Sequence, residues 1–457
     1  MRARRVFITR LALIAAVGLA VRVTFVLVAR RTTKPGGDDF YYHWLGILLA
    51  RGKGFVDPTT WKLLHISRPT AAHPPLYPVY LGIVSRAGVQ SVLGHRLASC
   101  LLGAGTVFVI GLVAGRLGGE RAGYAAALIA AVYPNLWIND ANLMSESLDA
   151  LAIALVLLAA YVFFDAPTLR RAVWLGLACS MAALTRAEGV LLFPLLVIPL
   201  TIVVRGFARH DRVKWAGAAC VVGLLCIMPW VGANLVRFQR PETMTSGFGT
   251  VLTLGNCDST YRGTYLGYWN WDCSMPVWPA GCSADEERRY AAGDRSIPYC
   301  DESIVDAAAR KKATTYMSDH LGRMPLVMLA RVGRAFDVYA PFQGVRFNEF
   351  FESRGRLPSL WGLWAYWATA ALGIGGAIVV GRRSLARLLP PAAIIVIIAA
   401  TSAISFGITR YRVPVDVVAI VFAGVGIDAL LRLVVRAPAH EEPAAVETAT
   451  MVDTSAS

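Results

Sequence analysis

The sequence contains few charged residues for its length. Asp, Glu, Lys and Arg make up 16% of its 457 residues, whereas soluble domains carry about 25%. A chain so short of polar side chains does not supply the surface of a soluble fold, which excludes an ordinary soluble protein. Acidic residues are scarcer than basic ones, and the formal net charge is +15. No module of interleaved basic and aromatic residues is visible, so this excess does not indicate a nucleic-acid partner.

The chain is instead rich in hydrophobic residues, many of which form long apolar runs. Hydrophobic residues make up 56% of the chain, and runs near or above the roughly 18 residues needed to cross a bilayer recur along it. Lys and Arg collect in short cytoplasmic loops, so the basic N-terminus and the later basic loops orient these runs consistently. The pattern predicts an all-α polytopic protein of the cell membrane, with about ten transmembrane helices and both ends inside. The clearest apolar runs are residues 11–29, 151–164, 190–204, 215–231, 360–380 and 415–431.

This orientation leaves two long segments outside the membrane. Residues 74–85 form a short apolar segment that would invert every later basic loop if it crossed, so it is predicted to lie on the outer surface. Residues 324–339 alternate apolar and basic side chains at helical spacing and are predicted to do the same. The predicted units are a transmembrane module (1–237) that includes the first outer loop (30–91), an extracytoplasmic loop domain (238–356), C-terminal transmembrane helices (357–436) and a disordered cytoplasmic tail (437–457).

The eight cysteines fall into two groups of four. One group lies in apolar runs, where a buried thiol needs no further explanation. The other group lies in the second outer segment, which indicates two disulfides in an oxidising compartment. The spacing of these four does not suit a zinc site, and three pairings are open. They are Cys257, Cys273, Cys282 and Cys300.

An acidic motif, GGDDFYY at residues 36–42, follows the first apolar run. Charge close to lipid is costly and usually serves a function. Adjacent side chains on a helix point about 100° apart, so Asp38 and Asp39 are not expected to share one role. One is expected to face a reaction centre while the other holds a metal, an arginine or a helix N-terminus. The alternative is an N-cap at the start of a helix over residues 40–51, and both readings can hold together.

Acids and arginines from three further turns are predicted to lie on the same side of the membrane. A single arginine at a helix end commonly extends to lipid headgroups, so each motif alone is weak. What indicates a functional site is that all of these residues are predicted to lie on the same side of the membrane. The residues are Asp140 and Glu146 in NDANLMSESLD, Arg186 and Glu188 in LTRAEGV, and Arg410 and Arg412 in GITRYRVP.

The order of these motifs resembles that of the GT-C class of membrane glycosyltransferases, in the branch of protein O-mannosyltransferases and aminoarabinose transferases. The resemblance covers roughly residues 5–435. GDDFYY resembles the family's acidic motif in the first outer loop, where Asp–Glu is usual and Asp39 stands in the second position here. AHPPLYPVYL, LMSESL, LTRAEG, MPWVGAN and TRYRVP resemble later signatures, although the usual Arg–Asn after Pro–Trp is here Ala233–Asn234.

The resemblance implies an integral membrane glycosyltransferase that moves one sugar from a polyprenyl-phosphate donor to an acceptor hydroxyl on the extracytoplasmic face. It implies no definite cofactor, and a divalent metal is neither required nor excluded. Arginines suit the donor phosphate because a planar guanidinium matches phosphate oxygens. Arg410 and Arg412 are the first candidates, followed by Arg186. Arg22 lies deep in the first span, where it either reaches the donor or pairs with Glu188 or a backbone carbonyl.

The base that the family uses is the first acidic residue of its outer-loop motif, which corresponds to Asp38. A single displacement with one carboxylate base inverts the anomeric centre. Asp39 or Glu146 would then position the acceptor or hold an arginine. The residues expected to contact substrate are Tyr41, Tyr42, His73 and Glu188, with core packing or solvation as the alternative for the aromatic side chains and for the histidine.

Three other functions compete with sugar transfer. A transporter or flippase of lipid-linked sugars would place polar sites near the bilayer midplane, commonly with an internal repeat, whereas the acids here cluster near the outer surface. A non-catalytic assembly or sensor protein would use the disulfide-braced loop. A metal-dependent oligosaccharide transferase would have longer outer domains and a WWD-like motif, which this sequence lacks. The sugar is expected to be of mannose or arabinose type, and the acceptor a glycan, a lipid or a protein.

Overall fold

The computed structural model describes residues 2–274 and 278–436 of the chain. Within these ranges the chain is almost entirely helical, and its only β-type pairing is an isolated bridge between Val56 and Pro69. The predicted all-α class is confirmed. The predicted disordered tail, residues 437–457, lies outside the described residues.

The first half of the chain forms eleven helices within the described ranges. They are α1 (Arg2–Phe25), α2 (Asp38–Ala50), α3 (Pro58–Leu64), α4 (Leu76–Arg86), α5 (Val92–Gly118), α6 (Glu120–Val132), α7 (Pro134–Ala141), α8 (Glu146–Asp165), α9 (Leu169–Thr185), α10 (Ile198–Val203) and α11 (Arg209–Arg237).

The second half contributes nine more among the residues described. They are α12 (Phe248–Gly255), α13 (Asp258–Tyr261), α14 (Ala284–Ala291), α15 (Glu302–Asp319), α16 (Met324–Ala335), α17 (Pro341–Phe350), α18 (Arg356–Arg383), α19 (Leu389–Ile404) and α20 (Val413–Arg436).

Seven helical segments in the described part are long and apolar enough to cross a membrane. The prediction of about ten spans requires three shorter segments to cross as well, namely α6, α9 and the apolar stretch Ala187–Val203. The helix over residues 74–85 is confirmed as α4, whose 11 residues are too few to span a bilayer. The seven long segments are Arg4–Arg30, Val92–Gly118, Glu146–Asp165, Arg209–Arg237, Arg356–Arg383, Leu385–Ile404 and Thr409–Val434.

Helices α18 and α20 pack closely because glycines stand at their contact. A Cβ atom at Gly376 would overlap the carbonyl oxygen of Phe422, and one at Gly426 would overlap that of Leu372. Small residues allow two helix backbones to approach in an apolar environment, where van der Waals contact stabilises the pair. This contact fixes α20, and with it the turn that carries Arg410 and Arg412.

Arg22 has a structural position in the interior of the bundle. Its side chain is fully buried, and its Nε donates to Asp140 Oδ2 at 2.8 Å. Its Nη1 donates to the carbonyl oxygens of Gly18 at 3.0 Å and Ala131 at 3.1 Å. These bonds satisfy a cation that would otherwise be costly in an apolar core. This corrects the expectation that Arg22 reaches the donor, and the partner acid is Asp140 rather than Glu188.

The loop domain is braced by two disulfides, as predicted. They join Cys257 to Cys273 and Cys282 to Cys300. The predicted helix over residues 324–339 is present as α16, but its Arg331 and Arg334 are buried and donate to backbone carbonyls. The side chains that α16 exposes are instead apolar, namely Leu326 and Leu329.

One carboxylate on α14 and one at the start of α15 attach the loop domain to the first outer loop. Glu302 Oε2 accepts from the backbone N–H of Ala71 at 2.9 Å and from the Ser246 hydroxyl. A second contact joins Arg68 Nη1 to Glu287 Oε1 at 2.8 Å. The two outer segments therefore pack on each other and enclose space at one end of the bundle.

Glu242 is a buried acid with little compensating charge. Its nearest cation is Arg310, at 3.8 Å, which also pairs with Asp306 at 2.6 Å. Burial, followed by the negative charge of Asp306, raises the pKa of Glu242 to about 7. The native carboxyl therefore holds a proton that the unfolded chain has already released between about pH 4.5 and pH 7. Stability consequently falls as the pH rises through this window.

Replacing Glu242 with Gln is expected to remove this loss of stability. The variant should be more stable than the native protein at pH 8, by up to about 3 kcal/mol, and nearly equal to it at pH 5. Thermal unfolding in one detergent at both pH values measures the difference. An equal shift at pH 5 and pH 8 would contradict the titration assigned to Glu242.

The Arg22–Asp140 pair is expected to show strong coupling. Replacing either residue alone by Leu leaves the other charge buried without a partner, which costs about 3–5 kcal/mol. The double variant Arg22→Leu/Asp140→Leu removes both charges and should be more stable than either single variant. Thermal unfolding of the three variants tests this, and the expectation fails if the two single effects simply add.

Candidate active site

A cavity of about 1210 Å³ lies between the ends of the membrane helices and the loop domain. Its walls come from the first outer loop, the turn after α9, the loop domain and the turn before α20. Most of the charged residues that the sequence singled out line it. The principal charged side chains on its walls are Arg30, Asp38, Asp39, Arg96, Arg186, Glu188, Glu302, Glu352 and Arg410.

Asp38 and Asp39 occupy the first turn of α2. Gly37 precedes them with a φ of 65°, a left-handed conformation that glycine adopts without strain. Helix α2 begins at Asp38 and Gly37 is its N-cap residue, so neither aspartate is the N-cap. Asp38 points to Arg410, whereas Asp39 Oδ1 accepts from the backbone N–H of Gly36 at 2.7 Å. The adjacent carboxylates therefore have different partners.

Arg410 belongs to the one-turn helix Thr409–Arg412. Its side chain lies among three carboxylates from other parts of the chain. Its Nη1 is 2.8 Å from Asp38 Oδ2 and 3.5 Å from Glu352 Oε2, and its Nε is 3.1 Å from Glu146 Oε1. A single guanidinium thus contacts acids that begin α2, begin α8 and precede α18. Glu352 was not singled out from the sequence, because its segment is neutral overall and carries no recognisable motif there.

Arg186 extends this network on its other side. Its Nη1 donates to Glu146 Oε1 at 2.8 Å and its Nε to Glu188 Oε1 at 2.8 Å. Glu146 therefore bridges the two arginines, and Arg186 also lies over the ring of Tyr411 at 5.1 Å. The structure brings together five residues predicted from four separate motifs: Asp38, Glu146, Arg186, Glu188 and Arg410.

The protonation of Asp38 is controlled by its cationic neighbour. Burial alone would raise its pKa, but the charge of Arg410 and the neighbouring His73 outweigh burial and hold the pKa well below its usual range. His73 Nε2 lies 3.6 Å from Asp38 Oδ1. For Asp39 the balance is opposite, and burial raises its pKa despite the bonds from Gly36 and the charge of Arg96. Asp38 is thus held as a carboxylate by the arginine beside it.

Arg412 does not reach the cavity. It is fully buried, with Nη1 at 2.6 Å from Asp337 Oδ2 and Nε at 2.9 Å from Asp416 Oδ1, and its guanidinium lies 3.5 Å from the centre of the Tyr366 ring. These contacts hold it within the bundle, away from the residues that line the cavity. This corrects the expectation that Arg412 binds the donor phosphate, and leaves Arg410 and Arg186 as the arginines of the network.

Of the two tyrosines in the acidic motif at residues 36–42, one lines the cavity and the other does not. Tyr42 lines the cavity and packs against His73, with ring centres 4.9 Å apart. Tyr41 instead lies in the core with its hydroxyl 3.1 Å from Thr70 Oγ1, so the expected substrate contact is not seen for it. His73 also lines the cavity, and its contact with substrate stays a prediction.

A second cationic pair, Arg30 and Arg96, lies beside Asp39 and was missed in the sequence. Arg96 Nη1 donates to the carbonyl oxygens of Arg30 and Thr33, and its Nη2 is 4.0 Å from Asp39 Oδ2. Both arginines line the cavity, and the Nε atom of each is buried without a hydrogen-bond partner. The available signal was their position at the cavity ends of α1 and α5.

Comparison with known proteins identifies the fold. Residues 72–232 match the family model of dolichyl-phosphate-mannose-protein mannosyltransferase. No curated protein matches the chain by sequence. The archaeal oligosaccharyltransferase AglB from Archaeoglobus fulgidus, in complex with an inhibitory peptide and a dolichol-phosphate, is 16% identical with a TM-score of 0.52. The match covers 96% of this chain and 53% of AglB.

Two further solved structures are similar. An oligosaccharyltransferase from A. fulgidus in complex with Zn and sulfate is 15% identical with a TM-score of 0.51, over 94% of this chain and 49% of that one. ArnT from Cupriavidus metallidurans bound to undecaprenyl phosphate is 15% identical with a TM-score of 0.41, over 91% and 77%. The chain thus spans about half the length of the archaeal structures whose fold it shares. The family model and this fold confirm the resemblance to GT-C glycosyltransferases.

Replacing Arg410 with Ala is expected to create a binding site for a divalent cation. The change leaves Asp38, Glu146 and Glu352 without the cation between them, and carboxylate oxygens suit hard divalent ions. Within the described residues, no group of three or more His, Cys, Asp or Glu side chains is arranged to hold a metal while Arg410 is present. Titration with Mn²⁺, followed by electron paramagnetic resonance of the free ion, measures uptake.

The matched control is Arg410→Lys, which keeps the positive charge and should not gain Mn²⁺ affinity. Equal uptake by the native protein and by Arg410→Ala would contradict the role of Arg410 as the cation that neutralises these acids.

Proposed function

We propose that this chain, which has the GT-C fold, is a glycosyltransferase that moves one sugar from a polyprenyl-phosphate donor to an acceptor hydroxyl. The observation that carries the proposal is the Asp38–Arg410 pair at 2.8 Å in a large cavity, which joins a base to a cation. The matched family model is named for a dolichyl-phosphate-mannose enzyme, and the archaeal structure of the same fold holds a dolichol-phosphate.

Arg410 and Arg186 bind the donor phosphate in this proposal. As the bond between the anomeric carbon and the phosphate oxygen breaks, negative charge builds on the leaving phosphate, and the two guanidinium groups stabilise it. Their side chains are each 17% exposed, so they remain accessible from the cavity. Glu146 and Glu188 hold the two arginines in position, and Glu352 supports Arg410.

Asp38 acts as the base. It accepts the proton of the acceptor hydroxyl while the hydroxyl oxygen bonds to the anomeric carbon and the phosphate leaves, which inverts that carbon. Donor binding prepares Asp38 for this role. When the phosphate engages Arg410, part of the charge that lowers the pKa of Asp38 is withdrawn, and its basicity rises. His73 stands beside Asp38, and Asp39 fixes the start of α2 through Gly36.

A metal is not assigned to this reaction. A structure of the same fold is described in complex with Zn and sulfate, but here the space among Asp38, Glu146 and Glu352 is bridged by the guanidinium of Arg410. The residues therefore do not fit a metal at this position. Arg410 supplies the positive charge instead.

The cavity is proposed to face the extracytoplasmic side. Basic turns gather at the opposite end of the bundle, where Arg116 and Arg387 each lie 2.6 Å from Asp165. Short basic loops mark the cytoplasmic side of membrane proteins. The polar network also stands at helix ends, whereas transporters place such groups near the midplane on broken helices. This favours transfer over transport.

Replacing Asp38 with Asn is expected to reduce transfer by about 10²–10⁴-fold, the usual effect of removing a general base. In a deletion strain complemented with this variant, one glycan linkage should be lost and its polyprenyl-phosphate sugar should accumulate. Profiles of lipid-linked sugars and of cell-surface glycans measure both effects.

The control is Asp285→Asn, at a carboxylate on α14 whose side chain is 75% exposed, which should restore the native profile. Thermal unfolding verifies that both variants fold. A native glycan profile with folded Asp38→Asn protein would remove Asp38 from the reaction.

A further inference from the structure

An aromatic wall of the cavity, formed by Phe351, Trp269, Trp271 and Trp278, has no part in the chemistry described so far. All four residues line the same cavity. The Trp269 ring lies 5.2 Å from that of Phe351 and 5.4 Å from that of Trp271. Phe351 precedes Glu352, which contacts Arg410. The aromatic wall therefore starts at the charged network and continues into the loop domain.

The outer members of the aromatic wall are exposed to an unusual extent. Trp271 is 61% exposed and Trp278 is 54% exposed, although both are large apolar side chains. Trp271 lies two residues before Cys273 and Trp278 four residues before Cys282, each in a disulfide, so the chain is covalently anchored close to both. Aromatic side chains exposed on a cavity wall supply a large contact area for few rotatable bonds. They indicate a ligand.

Exposed charged side chains that follow the aromatic wall in the sequence argue against the membrane as that ligand. Asp285 and Arg288 on the neighbouring α14 have side chains that are 75% and 61% exposed, and Arg289 is 57% exposed. Burying such charges in lipid is expensive. By contrast, Trp361 and Trp364 are similarly exposed but lie within the apolar segment Arg356–Arg383, where lipid or its interface covers them.

Unpaired donors stand on another part of the cavity wall. Arg68 is 5% exposed and lines the cavity, and its Nε and Nη2 are buried without hydrogen-bond partners. Its Nη1 donates to Glu287, which also lines the cavity. The pair combines donors that the protein leaves unused with a carboxylate acceptor, and its charges balance. Such a pair suits hydroxyl groups, which both donate and accept.

We propose that the acceptor is a linear, uncharged carbohydrate chain that stacks on the aromatic wall and directs one hydroxyl to Asp38; this rests on the proposed function. A sugar ring combines an apolar C–H face, which packs on indole, with an edge of hydroxyls, which Arg68 and Glu287 bind. Strand addition, one mode of peptide binding, has no sheet edge to use within the described residues, where the only extended pairing is one isolated bridge.

The proposal is tested by direct binding to the full-length protein in lipid nanodiscs. The probes are linear manno- and arabino-oligosaccharides of four to six sugars and a Ser/Thr-rich peptide of similar length, followed by saturation-transfer NMR. We expect at least one oligosaccharide to bind and the peptide not to bind. Trp271→Ala and Trp278→Ala should each weaken binding about tenfold, which corresponds to about 1.4 kcal/mol, whereas Trp271→Phe should retain most of it.

The matched controls are Trp361→Ala and Trp364→Ala, which remove equally exposed indoles from the apolar segment and should not change binding. Three results would overturn the proposal: neither oligosaccharide binds, the peptide binds instead, or spin-labelled lipid quenches Trp271 and Trp278. Asp38→Asn should still bind the oligosaccharide. Loss of donor turnover in that variant is measured separately, so failure of the carbohydrate proposal is distinguished from failure of the transferase proposal.

Discussion

The guanidinium of Arg410 lies among the carboxylates of Asp38, Glu146 and Glu352 and reduces their mutual repulsion. Carboxylates brought this close repel one another and resist ionisation unless a cation lies among them. The three acids begin α2, begin α8 and precede α18, while Arg410 precedes α20. One ion cluster therefore connects the ends of four elements that are distant in sequence. The contacts that assemble this end of the bundle are the same contacts that define the candidate site.

Exposure separates the arginines of the cavity from those that hold the bundle together. Arg22, Arg331 and Arg412 are fully buried, and each is bonded to carbonyls or carboxylates on several sides. Arg186 and Arg410 are paired as well, but their side chains remain 17% exposed to the cavity. A fully buried guanidinium that does not line the cavity cannot contact a ligand there. A partly exposed one can exchange a carboxylate for a phosphate at modest cost.

The sequence was sufficient to predict the all-helical membrane class and the meeting of four motifs, because the alternation of basic loops decides which helix ends share a side. It did not distinguish Arg410 from Arg412, two residues apart in one turn, although Asp416 at i+4 from Arg412 was an available sign of a structural pair. The Arg22–Asp140 contact joins residues separated by 118 positions. Such contacts depend on helix packing, which a single sequence does not reveal.

The proposed acceptor site and the proposed donor site are joined by one peptide bond. Phe351 belongs to the aromatic wall and Glu352 to the ion cluster, so acceptor and donor would approach each other where these neighbours lie. Before donor binding, Arg410 holds the pKa of Asp38 far below that of a useful base. An acceptor that arrived first would find a carboxylate too weak to take its proton. The charge that assembles the site would therefore also restrain proton transfer until the donor phosphate engages Arg410.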